Sequence, residues 1–196
     1  METLNLSGST PPPESRLKSL FWPSIQTSSD VDYLGAQGYW VCVIVGLLSL
    51  AASAVQQHPI AGSFAFLLYF LGGVGVRERS RFAAAVSLVF FMTDFVASIV
   101  IAGAVAVGPA SGVFRVLITA LLLSNLRATW IASQWKPDAD QAAPPPRFGD
   151  TWTDKFADRF PMWLWPKVRI VYYIFSVGFL LLALIGIAVI TLRRSG

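Results

Sequence analysis

Residues 87–103, SLVFFMTDFVASIVIAG, form an apolar run broken by one acid, Asp94. With its flanks the run covers 82–107 and contains no other Asp, Glu, Lys or Arg. A helix needs roughly 17–25 predominantly apolar residues to cross a hydrocarbon core about 30 Å thick. Four further runs, clear of charge or nearly so, occupy 39–55, 60–76, 113–132 and 168–192. The pattern predicts an all-α integral membrane protein: a bundle of about five transmembrane helices plus a short interfacial amphipathic helix.

Composition agrees, with 55% hydrophobic and 13% charged residues against about 25% charged in ordinary soluble domains. Residues 1–29 read as a polar, Pro-containing cytoplasmic segment and 30–192 as the membrane domain, with a connector at 133–167 and a short tail at 193–196. Segments 1–38 and 133–167 are each shorter than the roughly 40 residues that usually fold unaided, which argues against a soluble catalytic domain. The first 30 residues are too polar for a cleavable leader, so the first span is expected to act as an uncleaved anchor.

Cytoplasmic loops of membrane proteins are enriched in Lys and Arg. Alternating sides across five spans places all of the 15 Lys and Arg except Arg115, Arg193 and Arg194 on the N-terminal side. The expected location is the cell (plasma or inner) membrane, with the N-terminus cytoplasmic and the C-terminus exterior. A re-entrant first or second span would return the tail to the cytoplasm.

The single cysteine, Cys42, and single histidine, His58, leave no intrachain disulfide, bis-histidine haem or histidine-rich metal site. No cofactor and no nucleic-acid partner are expected. An enzyme is disfavoured as well, because the chain carries no clustered metal-ligand set, no paired acids and no serine with a base in reach.

In LGGVGVRERSR, residues 71–81, the glycine spacing matches neither phosphate-binding pattern. Gly72, Gly73 and Gly75 instead suit close helix packing, and Arg77, Arg79 and Arg81 are expected at lipid phosphates. Ser29, three residues before Asp32, predicts a capped helix start close to Asp30. The prolines all fall outside the spans, which argues for uninterrupted membrane helices; the triplets 11–13 and 144–146 read as stiff spacers.

On the five-span topology all seven tryptophans come out on or near the cytoplasmic side. In DTWTDKFADRFP, residues 150–161, Trp152, Phe156 and Phe160 recur every four residues. This stripe predicts an amphipathic helix in the interface plane, ended by Pro161. Together with Trp130, Trp135, Trp163, Trp165 and the three arginines it makes an aromatic, basic face. Two roles fit that face: a girdle on the bilayer with its anionic headgroups, and a dock for a membrane protein partner or a second copy.

A central acid costs about 2.5–3.5 kcal/mol on insertion scales, so Asp94 should face protein or water. Ser87, Asp94, Ser98, Ala102 and Ala106 form a small-residue ridge suited to helix contact. Counting from an outer turn centred on residue 110 places Ser124, Asn125 and Arg127 of the fourth span at the depth of Asp94. Asp94 is expected to meet either the Ser124 and Arg127 face or Asn125, as structural polar glue. The leading functional expectation is a non-enzymatic accessory or assembly component. The alternative is a small oligomeric transporter or channel using Asp94 as an ion or proton site.

Overall fold

The computed structural model describes residues 21–102, 109–134 and 152–195. These form five helices, α1 (Ser28–Val55), α2 (Pro59–Arg77), α3 (Arg81–Ala102), α4 (Pro109–Ala132) and α5 (Trp152–Ser195), with no strand among the described residues. Each contains a stretch long and apolar enough to cross a membrane. We call the end that holds the first residues of α1 the near end, and the opposite end the far end.

The ends of α1 and α2 are set by local hydrogen bonding. Thr27 caps α1: its hydroxyl accepts from the Asp30 N–H at 3.3 Å, and the Asp30 carboxylate accepts from the Thr27 N–H at 2.8 Å. This reciprocal pair satisfies two orphan donors. The T-x-x-D register therefore prevails over the S-x-x-D register two residues later, and Asp32 is left for another partner. Gln57 ends α1 in the left-handed region (φ 63), and Pro59 opens α2 at once. At the other end of α2, Arg79 takes φ 57 while the Ser80 N–H donates to the Gly75 carbonyl at 2.9 Å and the Arg79 N–H to Val76 at 3.0 Å. This double closure is usually built on glycine; here an arginine occupies it and is held from outside.

The glycines make α2 the hub. A Cβ on Gly73 would meet Cys42 Cβ of α1 at 2.9 Å and the Tyr39 carbonyl at 3.1 Å. One on Gly72 would strike the Ser87 hydroxyl of α3 and lie 2.9 Å from the Tyr172 hydroxyl of α5, and one on Gly75 would run into Trp165 of α5. Three small positions on successive faces thus let α1, α3 and α5 pack against one helix. The core they enclose includes Tyr39, Cys42, Val74, Ala83, Leu122 and Tyr172, all buried, and it lies in the near half.

Two boundaries differ from the sequence expectation. α4 begins at Pro109 rather than 113, with proline in the first turn where its missing N–H costs nothing. α3 ends at Ala102, so the register of α3 and α4 follows from Ala102 and Pro109 rather than from a turn centred on 110. The expected interfacial helix is not separate either, because α5 runs from Trp152 to Ser195 through both Pro161 and Pro166. Its 44 residues span about 66 Å at 1.5 Å per residue.

Candidate functional site: a far-end cavity and a near-end ionic cluster

At the far end the helices part around a cavity of about 880 Å³. All five contribute to its wall, among them Ser49 of α1, Tyr69 of α2, Asp94 of α3, Arg115 of α4 and Phe179 of α5. Asp94 Oδ2 accepts from Arg115 Nη1 at 3.3 Å, yet 68% of the Asp94 side chain stays exposed. Arg115 is the more enclosed partner, 19% exposed, with its guanidinium 5.2 Å from the centre of the Phe95 ring.

The contact expected between the third and fourth helices is therefore present, but through a different residue. Asp94 lies eight residues before the last residue of α3, Ala102, and Arg115 six residues after the first residue of α4, Pro109. Ser124, Asn125 and Arg127 sit deeper, towards the near end. Ser124 and Asn125 are buried, with Asn125 against Gly38 of α1. The Asn125 amide nitrogen donates to Leu121 O at 2.9 Å, whereas Ser124 Oγ and Asn125 Oδ1 have no partner among the described residues. Arg127 reaches the near end, donating to Pro23 O at 2.9 Å and lying 4.8 Å over Trp22.

The near end is closed by charge. Arg77 is 5% exposed; its Nε and Nη2 both donate to Asp158 Oδ1, and its Nη1 donates to the Asp32 carbonyl at 2.8 Å. Arg77 Nε also reaches the Ala157 carbonyl at 3.3 Å. That carbonyl is free because Pro161, four residues on, has no N–H to give it. Arg79 donates from Nη2 to Asp32 Oδ1 at 2.8 Å and to the Ser28 hydroxyl at 2.9 Å, which holds its left-handed backbone.

Arg77 and Arg79 thus tie α1, α2 and α5 together instead of meeting lipid phosphates. The third arginine, Arg81, is exposed and lies 5.7 Å over Trp130. The aromatic stripe also turns inward. Phe156 sits 6.2 Å from Tyr39 and 6.4 Å from Trp40, and Phe160 5.8 Å from Phe70. Trp165 is buried, while Trp163 is exposed with Lys167 3.7 Å over its ring. The Trp152 side chain and all of Trp135 lie outside the described residues.

Sequence reasoning missed Asp158 and Arg115. Pro161 was the available signal for the first, since a proline inside a helix must leave a carbonyl for another donor. For Arg115 the signal was proline at the first helical position, which fixes the start of α4.

Fold and site together define, among the described residues, a helical bundle with five apolar helices of membrane-crossing length. No protein family, curated protein or solved structure matches it.

Proposed function

We propose that the chain is a non-enzymatic integral membrane protein that admits a small solute into the far-end cavity, as a small transporter or channel subunit. The observation that carries this reading is that Asp94 lines a space walled by five helices while 68% of its side chain stays exposed. A carboxylate serving only to join α3 to α4 belongs inside their contact, where desolvation is offset by hydrogen bonds. Among the described residues Asp94 makes one hydrogen bond, at 3.3 Å, through Oδ2 alone. On the Lys and Arg distribution the cavity opens to the exterior, and the Arg77 cluster shuts the cytoplasmic end.

The accessory reading draws on the opposite end. Trp22, Trp130 and Trp163 are exposed there, each with a cation over its ring, from Arg127, Arg81 and Lys167. Such a face suits anionic headgroups or a neighbouring subunit, and it is compatible with a cavity at the other end.

The test is water access. With Cys42→Ser as background, a cysteine placed at Ser98, which lines the cavity, should react with a membrane-impermeant thiol reagent in intact cells. A cysteine at buried Ser124 should not. Protection of position 98 from the aqueous reagent would mean that the cavity holds lipid and would remove the solute-binding reading.

A further inference from the structure

We infer that the far-end cavity is a site for a monovalent organic cation, an ammonium group on a compact apolar body. The inference rests on the solute-binding reading and names the class of solute.

The accessible charge in the cavity is negative although the site contains an ion pair. Arg115 is 19% exposed, against 68% for Asp94, and its guanidinium is directed to the Phe95 ring as well as to Asp94 Oδ2. Asp94 Oδ1 makes no hydrogen bond among the described residues, so a cation reaches it without breaking the pair. Two of the lining hydroxyls reinforce this polarity. Ser49 donates its hydrogen to Val45 O at 2.9 Å, and Ser98 to Phe95 O at 2.7 Å. Their oxygens are left as acceptors, which suits an N–H donor or a cationic carbon surface and not an anion.

The rest of the wall sets the body of the ligand. Tyr69, Phe90, Phe91, Phe114 and Phe179 line the cavity, and aromatic rings are the groups that bind alkylammonium ions through their quadrupoles. A metal ion is poorly served. Among the described residues no group of three His, Cys, Asp or Glu could hold one, and hard divalent cations require about six oxygen ligands. The volume of about 880 Å³ falls within the roughly 300–1,000 Å³ of small-molecule sites.

The experiment uses the full chain in lipid nanodiscs and radiolabelled benzyltrimethylammonium, with empty nanodiscs as background. Saturable binding is expected. Unlabelled benzyltrimethylammonium should compete, whereas benzenesulfonate and the uncharged isostere neopentylbenzene should compete at least about tenfold more weakly, the loss of one ion pair. Asp94→Asn should weaken binding by a similar factor, while Arg115→Gln should strengthen it by removing the competing cation. Ala97→Phe, which adds volume to the cavity wall, should abolish binding while leaving the thermal unfolding midpoint in place. Competition by benzenesulfonate that depends on Arg115 would overturn the proposal, as would cation binding indifferent to Asp94→Asn. Absence of saturable binding in a protein whose position-98 cysteine is water-accessible would overturn the cation assignment alone and leave the solute-binding reading standing.

Discussion

Arg77 is a full charge held at 5% exposure by a carboxylate and by carbonyls from two other helices. Removing one member of a buried pair leaves the other charged and unsolvated, at a cost of about 3–5 kcal/mol. Asp158→Ala should therefore lower stability by that order, read from unfolding in mixed micelles. The double variant Arg77→Met with Asp158→Leu should recover much of the loss, because no orphan charge remains. Arg77→Lys should fall between them, since an ammonium cannot reproduce the guanidinium fork that reaches Asp158, Ala157 and Asp32 together. Two independent single losses that add in the double variant would show that the pair is not coupled. The sequence displayed these residues without their roles: Arg77 stands beside Arg79 and Arg81 in what looks like a lipid-facing basic cluster, and Asp158 looks like the wet side of an amphipathic helix.

At the scale of the element, α2 is defined by what its glycines allow. A methyl at Gly75 would run into Trp165, so Gly75→Ala should destabilise by about 1–3 kcal/mol through overpacking. Gly178 of α5 has nothing within 4 Å of such a methyl, and Gly178→Ala should be neutral or stabilising by up to about 1 kcal/mol through helix propensity. Equal effects at the two sites would deny α2 its role as hub. The existence of the helices was legible because length and apolarity are local properties, and the glycine reading held because small residues at a helix face have few other uses. Registry between α3 and α4 was not legible. It depends on where each helix ends, and errors of five residues at the end of α3 and four at the start of α4 add to nine, about two and a half helical turns, which exchanged Arg115 for Ser124, Asn125 and Arg127. Oxidative cross-linking in a Cys42→Ser background decides the register: cysteines at 94 and 115 should link, while those at 94 and 124 or 94 and 125 should not. Linkage of the deeper pairs would restore the earlier pairing.

For the whole molecule, the two ends carry opposite designs. The near end is packed, aromatic and ion-paired, whereas the far end is splayed around the cavity that Asp94 lines, and α5 lends it little cover: 6% of its most apolar window is buried, against 33–39% in the other helices. A bare apolar helix of this kind is stable only in a solvent as apolar as itself, which is the role of lipid. If every helix crosses, an odd number of crossings puts the ends of the described chain on opposite sides. The near end carries Arg77, Arg79, Arg81, Arg127, Arg159, Lys167 and Arg169, and the far end Arg115, Arg193 and Arg194. Each basic residue beside an anionic cytoplasmic leaflet is worth about 1 kcal/mol. The near-end excess should outweigh the tail arginines even with Arg77, Arg79 and Arg115 set aside as paired with Asp158, Asp32 and Asp94. A reporter fused after Gln134 should therefore read cytoplasmic and one fused after Gly196 exterior, and Arg193→Glu with Arg194→Glu should leave both readings unchanged. A cytoplasmic reading after Gly196 would mean that an even number of helices cross, which leaves α1 or α2, joined by the tight turn at Gln57 and His58, as a re-entrant pair member. The cavity, lined by the last turns of α1 and the middle of α2, would then lose the wall that makes it a site within the bilayer.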